Sequence, residues 1–371
     1  MADEPLTIGI EEEFQIVDAD GELRAHIDAV MARAEQKPEL APEDVKPEML
    51  QSVVEVGTKV CKDIKEARGE VERLRGQLVE ILGESDLRLA SAGTHPFSHW
   101  KDQLVTQKDR YLHLEEEMQD VVRELLIFGL HVHVGIPDTN LRMDIFNEAR
   151  YFLPHLLCLS TSSPFWLGRK TGLMSYRSIL WSHFPRTGIP PDFDSWEVFD
   201  SYLQMLVKTG SVPDGSKIWW DLRPHHIYPT LEFRVCDAAT RIDETICIAA
   251  IIQAVVAKLI KLRKQNLGFR KYEPYLIREN KWRAVRHGLQ GELIDFGKAA
   301  EVPERELILE ILDFVDDVVD ELGSRAEVSY ARQIIAEGTS ADRQLKVFDQ
   351  TEDLAAVVDR VCEETRAGLP T

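Results

Sequence analysis

Cysteine is scarce in this chain of 371 residues. The five present, Cys61, Cys158, Cys236, Cys247 and Cys362, never fall into CxxC spacing. That argues against a disulfide-framed secreted domain and against a thiolate zinc site, and predicts five free thiols in a cytoplasmic protein. Positive charge is also short: 44 Lys and Arg stand against 64 Asp and Glu, a net charge of −20. Phosphate-backbone contacts need the opposite surplus, so no nucleic-acid partner is expected. No basic n-region with an apolar h-region opens the sequence, and no signal peptide is expected. No apolar run reaches the ~20 residues of a membrane span. The nearest, "TICIAAIIQAVVAKLIKL", follows Asp243–Glu244, ends in lysines and reads as a buried helix. Neither a Walker A motif nor a GxGxxG behind a strand occurs, which removes P-loop and Rossmann readings.

What is present supports a large core. Hydrophobic residues make up 44% of the chain, and the length allows two average domains or one large one. No repeat or low-complexity linker divides it, so residues 1–371 read as a single domain. Strand-like runs cover 7–17, 51–56, 87–92, 126–136, 218–222 and 230–236. Helical periodicity fills "KDIKEARGEVERLRGQLVEILGES", "KDRYLHLEEEMQDVVRELLIFG" and, with a break expected at Pro154, "MDIFNEARYFLPHLLCLSTSSP". A sheet-rich part, about 1–260, precedes a mostly helical part, about 261–371. The order indicates an α+β fold, one mixed or antiparallel sheet with helices on its back.

"TIGIEEEFQIV" places three glutamates inside a strand. Alternation puts Ile8, Ile10, Glu12, Phe14 and Ile16 on one face, and Glu11 and Glu13 on the other, about 7 Å apart along the strand. Two carboxylates so placed repel unless a cation, a proton or water lies between them. The same parity test on "FGLHVHVGI" gives an apolar face opposite His131 and His133. On "TLEFRVCD" it gives one opposite Glu232 and Arg234, and on "QSVVEV" it groups Glu55 with Gln51. If the strands share a sheet, these polar faces form a floor of glutamate and histidine with little lysine. Such a floor suits hard divalent cations better than it suits water. Glu12, on the apolar face, is expected to be structural and paired with a helix arginine.

Arginines supply the other half of the chemistry. "SYRSILWSHFPRTG" carries Arg177, Ser178 and Arg186, "WWDLRPHH" carries Asp221 and Arg223, and "RENKWRAVRHG" carries Lys281 among further basic residues. Guanidinium forks match phosphate and carboxylate groups. "SAGTHPFSHW" ends a strand in the turn Gly93–Pro96, which includes His95.

In order, "GIEEEF", "GTHP", Arg110–Tyr111, "HVHVG", "WDLRP", "EFRVCD" and "NKWRAVRHGLQGELID" resemble the YbdK-type carboxylate-amine ligases, also called type-two glutamate–cysteine ligases. The resemblance spans most of the chain. It implies a glutamine-synthetase-like fold, a curved and mainly antiparallel sheet whose concave face holds ATP and Mg²⁺ (or Mn²⁺). It implies Glu11, Glu13, Glu55 and Glu232 as metal ligands, with His131 and His133 as candidates for a further metal ligand or a phosphate contact. Arg234, Arg177 and Arg223 become candidate catalytic residues. Arg177, Ser178, Arg186, Arg234 and Lys281 become candidate nucleotide contacts. His95, Arg110, Tyr111 and Gln51 become candidate substrate contacts. The implied activity is ATP-dependent joining of glutamate, through an acyl phosphate, to cysteine or a similar amine.

The competing reading of the residues is a metal-dependent hydrolase that uses the same carboxylate and histidine floor without nucleotide. A third is a binding protein on a degenerate ligase fold, against which the intact Glu-x-Glu and Glu-x-Arg pairs speak. The arginine-rich segments favour the ligase, which alone needs a phosphate-binding rim. Expected partners are amino acids and ATP, with no nucleic acid and no membrane, and a homodimer or higher homo-oligomer.

Overall fold

In the computed structural model, which describes residues 6–369, the strand alternation read from the sequence becomes one seven-stranded antiparallel sheet. Its strands are β1 (Ile8–Val17), β2 (Val45–Pro47), β3 (Val53–Gly57), β4 (Arg88–Ala90), β5 (Gly129–Gly135), β6 (Leu222–Pro224) and β7 (Thr230–Asp237). The order is β6-β7-β5-β1-β3-β2, with β4 pairing the far end of β1. The glutamine-synthetase-like arrangement expected above is therefore present, with helices covering one face and a cleft on the other.

The covered face holds Ile8, Ile10, Leu130, Val132, Val134, Leu231, Phe233 and Val235. They pack in one cluster with the helices Leu153–Ser160 and Ile242–Lys264 and, from the C-terminal part, with Leu307 through Ile334. Helix Ile242–Lys264 is long and apolar enough to cross a membrane, but most of it is buried inside the protein, as a core helix would be. The five cysteines are free and buried. Pro154 lies in the first turn of the helix Leu153–Ser160, after a 3-10 turn at Arg150–Phe152, which accounts for the break expected there.

Glu12 faces this core, and its charge is met by Arg75 of the helix Ile64–Gly83. The Arg75 Nε donates to Glu12 Oε2 at 3.0 Å, and Thr245 Oγ1 donates to Glu12 Oε1 at 2.7 Å. The rest of the guanidinium is used by the carbonyls of Ala239 and Thr240. The pair is buried, with the Arg75 side chain 0% and Glu12 3% exposed. Breaking one member of such a pair costs about 3–5 kcal/mol, because the other charge stays in the core. Glu12→Ala is therefore expected to lower unfolding free energy by that amount in a denaturant titration, and Glu12→Gln, which keeps an acceptor, by less. An unchanged midpoint for Glu12→Ala would contradict the role.

Two sequence expectations shift. The strand at 218–222 is divided: Trp219–Trp220 pairs in parallel with Thr187–Gly188, and the sheet edge is Leu222–Pro224. Strand β2 carries no strand-like pattern, since Pro and Lys fill two of its three positions. It forms because β3 offers a free edge. The helix expected from Lys108 stops at Met118, where Gln119 adopts φ +52°. That is a conformation L side chains adopt rarely, and it ends the helix regardless of the periodicity.

Candidate active site

Register assembles the polar floor. Glu13 stands opposite Glu55, Glu11 opposite His131, His133 opposite Glu232, and Glu232 opposite Arg223. Cross-strand neighbours on one face lie within about 5.5 Å, so like charges placed this way need an external partner. Glu11 divides its two oxygens. Oε2 is 3.5 Å from His131 Nδ1 and 3.6 Å from His133 Nε2, while Oε1 is 3.3 Å from the Lys46 Nζ. Glu13 Oε2 accepts from the Gly129 backbone N–H at 2.6 Å. Arg223 Nε donates to Glu232 Oε2 at 2.6 Å, and Arg234 Nη1 donates to Glu232 Oε1.

The floor is electrically divided. On the β1–β3 side, burial pushes the Glu13 carboxyl up to about 7 despite Arg177, with Glu55 adding to the rise. Burial, with Glu11 and Glu48 adjacent, pushes Glu55 up to about 8. On the β5–β7 side burial also favours the neutral form of Glu232, yet Arg234 and Arg223 hold it well below the usual range. Burial and the Arg234 charge take His131 down to about 4, leaving a neutral imidazole near neutral pH. Glu11, His133 and Glu232 bring one ligand atom each to within 4.8 Å of one another. Oxygen donors with one imidazole fit a hard divalent ion. The raised carboxyls of Glu13 and Glu55 lie across the floor from this cluster.

Those raised values have a consequence for the metal-free protein. A carboxyl with a higher pKa folded than unfolded (ordinarily 4.5) means that folding takes up protons. The contribution to stability is complete at low pH and is lost as pH rises through about 7 and 8. With a chelator present, the melting temperature is expected to fall between about pH 7 and pH 8, above the range in which His95, His131 and His225, each taken down to about 4 by burial, give the opposite slope, and added divalent ion should flatten it. A melting temperature that rises over this window would refute it.

One arginine reaches the floor from outside the sheet through a buried scaffold. Arg177, on the short helix Tyr176–Ser182, sends Nη2 to the Arg234 carbonyl at 3.3 Å and Nη1 to the Val235 carbonyl at 3.5 Å. Behind it the buried Asp237 accepts from the Ser162 N–H and from the Ser163 and Ser175 hydroxyls. Two glycines leave the room. A Cβ at Gly93 would lie 2.8 Å from the Asp237 carboxyl carbon, and one at Gly129 would lie 2.5 Å from Arg177 Nη2.

Above the floor is a cleft of about 430 Å³. Of the residues singled out in the sequence, Glu11, Glu13, Glu55, His131, Arg110, Tyr111, Arg177, Arg223 and Arg234 line it. His133 and Glu232 lie beneath, within contact of Glu11 and the two arginines.

Five candidates do not line the cleft, and each has another partner. The His95 ring is wholly buried, between the Gly21 carbonyl and the Ser98 N–H, so "GTHP" is an architectural turn. Gln51 donates its side chain to the Val105 carbonyl. Ser178 bonds Ser175. Lys281 pairs with the buried Asp221 at 2.7 Å. Arg186 donates to the Lys217 carbonyl and lies 5.4 Å over the Trp219 ring, behind the cleft wall.

The sequence reading missed Lys46, Glu48, Lys217, His225 and an aromatic wall of Trp181, Phe184 and Trp219. Lys46 could have been found only by recognising β2 and its register with Glu55. Glu48 and Phe184 sit in irregular chain, Trp181 on a short helix and Trp219 on a two-residue strand too short for a parity test.

The model of the family described as glutamate-cysteine ligase family 2 matches residues 7–364. A candidate glutamate–cysteine ligase 2 of Herpetosiphon aurantiacus is 52% identical over 367 residues, covering 99% of this chain and 94% of its own length. Its counterpart in Roseiflexus castenholzii is 54% identical over 369 residues, covering 99% and 97%. Among solved structures, the glutamate–cysteine ligase of Francisella tularensis in complex with AMP superposes with a TM-score of 0.71 at 14% identity, over 99% of this chain and 91% of that one. A bifunctional glutathione synthetase from Pasteurella multocida gives 0.70 at 16% identity, over 98% of this chain and 53% of that one. At such identities the two structures bear on the fold alone.

Proposed function

The chain belongs to glutamate-cysteine ligase family 2 and is a ligase, and from that premise we propose that it joins a carboxylate to an amine at the expense of ATP, with Mg²⁺ or Mn²⁺ as the ion. The substrates we assign are the γ-carboxyl of glutamate and L-cysteine, and the products γ-glutamylcysteine, ADP and phosphate. One observation carries the reading: a single cleft has a carboxylate pole on β1 and β3 and a guanidinium pole at Arg177, Arg223 and Arg234. A hydrolase acting without nucleotide has no use for the second pole. The Francisella ligase binds AMP, by its description, which agrees with a nucleotide in this cleft.

The chemistry follows from the poles. A carboxylate is a poor electrophile at neutral pH. Transfer of the γ-phosphoryl group breaks its bond to ADP and forms an acyl phosphate. The amine nitrogen then bonds to the carbonyl carbon, phosphate leaves, and the nitrogen gives up a proton. Divalent ions held by Glu11, His133 and Glu232, and by the Glu13–Glu55 side, would offset the triphosphate charge that a bare carboxylate floor repels. Arg234 and Arg177 face the transferring group, and their Nε atoms are buried and unpaired among the described residues. Planar donors of this kind position phosphoryl oxygens and follow their charge. The neutral His131 keeps positive charge off the floor at the point nearest Arg234, 3.5 Å away. No side-chain nucleophile is required.

The test is ADP release. ATP and metal with glutamate should give slow ADP formation that cysteine accelerates, whereas glutamate-independent release would contradict an acyl phosphate. Hydrolysis of an amide or ester without nucleotide, or no ATP binding by calorimetry, would replace the ligase reading with the hydrolase. The same assay checks the role of Gly129. Gly129→Ala pushes the Arg177 guanidinium, a flexible tip, out of place rather than breaking the core. A misplacement of 1 Å costs roughly a hundredfold in rate, so turnover should fall by about that much with little change in melting temperature.

A further inference from the structure

We infer that the Glu11–Glu55 edge of the floor is a cation position that Lys46 shares with a divalent ion, so that Lys46 is a tethered competitor for one metal. The inference rests on the metal part of the function proposed above. Lys46 lies on the edge strand β2, in register with Glu55. Its Nζ is 3.1 Å from Glu55 Oε1 and 3.3 Å from Glu11 Oε1. Gly57 pairs with Glu11 beside that ammonium, which would lie in ordinary contact with a Cβ there, at 3.4 Å. The Lys46 side chain is 40% exposed, and its way out to solvent is open.

A second cation position lies beside the first. His133 Nε2 is buried, has no hydrogen-bond partner among the described residues, and stands 3.6 Å from the other oxygen of Glu11. With Glu232 these groups form a cluster of metal-ligand type. Glu11 thus belongs to two positions. One offers an imidazole and carboxylates and carries no ammonium. The other is bridged by Lys46.

A divalent ion such as Mg²⁺ bonds carboxylate oxygens at about 2.0–2.1 Å. Bridging Glu11 and Glu55, it would meet the ammonium at a range where like charges repel by several kcal/mol even at moderate dielectric. One of the two must leave, and lysine, a point charge on a four-carbon stem, is the side chain suited to leaving. In the metal-free floor the ammonium limits carboxylate repulsion. Once displaced, it is a cation free at the cleft edge for an anionic group.

The experiment is Mn²⁺ binding to the full chain without nucleotide, by calorimetry and by counting free Mn²⁺ with electron paramagnetic resonance. Lys46→Met should tighten one Mn²⁺ site by about tenfold or more and lower the metal-free melting temperature, while the Mn²⁺-saturated melting temperature matches wild type. Lys46→Arg, which keeps the charge, should bind Mn²⁺ no more tightly than wild type. Lys46→Gln gives the same reading as Lys46→Met should the latter fail to fold. Equal affinity and stoichiometry in wild type and Lys46→Met would overturn the inference, leaving the ligase reading to stand on ADP release. No Mn²⁺ binding in either protein would overturn both the inference and the metal part of that reading. Binding in Lys46→Met alone would support the competition.

Discussion

Glu11→Gln is expected to abolish ATP-dependent turnover while the protein stays folded. Glu11 is the hub of the floor, facing Lys46 with one oxygen and both imidazoles with the other. Burial opposes its ionisation, yet the His131 and His133 imidazoles beside it hold its carboxyl well below the usual range. A glutamine keeps the shape but loses the charge, and its amide must turn a donor toward either the lysine or the imidazoles. Removing a partner one shell out from a metal typically costs 10–100-fold in affinity or activity, so loss of a direct ligand should cost at least about a hundredfold. The fold should survive, because the side chain is 26% exposed and the change relieves crowding among carboxylates. Calorimetric Mg²⁺ binding should weaken with activity. Near-normal ADP release from Glu11→Gln would remove the basis for placing metal on this floor.

The second large effect is at Arg234. It shares Glu232 with Arg223 and lies within 3.5 Å of His131, at the boundary between the two poles. A bidentate donor there strengthens its contacts as charge spreads over the transferring phosphoryl oxygens. Loss of one preorganised donor costs about 2.7–4 kcal/mol in comparable sites, so Arg234→Ala should lower kcat about a hundredfold or more. Arg234→Lys should recover part, since an ammonium cannot reproduce the fork. Glu232 keeps Arg223 as a partner, so the variant should fold. A change confined to KM, with kcat intact, would show that Arg234 binds ground state and transition state equally and adds nothing to the phosphoryl step itself.

The floor was legible in the sequence because strand parity is rigid. Once Ile8, Ile10, Phe14 and Ile16 face the core, Glu11 and Glu13 have no other side to occupy. The same rule exposed His131, His133, Glu55, Glu232 and Arg234, and left Glu12 needing a cation from a helix, which Arg75 supplies. Irregular chain has no such rule. The family resemblance makes His95 and Lys281 candidate ligand contacts, whereas in the structure the Gly21 carbonyl and the buried Asp221 are their partners. Lys46 was missed because strand β2 exists only through the free edge of β3, a tertiary cause that local pattern does not carry.

The buried Glu12–Arg75 pair also bears on how β1 finds its place during folding. A strand with three successive acids invites slippage: displaced by one residue, it would send Glu11 and Glu13 into the apolar layer and bring Glu12 to the cleft. That shifted pairing would strand two charges in the core and leave the guanidinium of Arg75, fixed by the carbonyls of Ala239 and Thr240, with no carboxylate to receive it. The middle acid therefore acts as a key that admits a single alignment. Substitutions there should scatter the chain among misregistered, aggregation-prone forms during synthesis, beyond their cost to the finished fold.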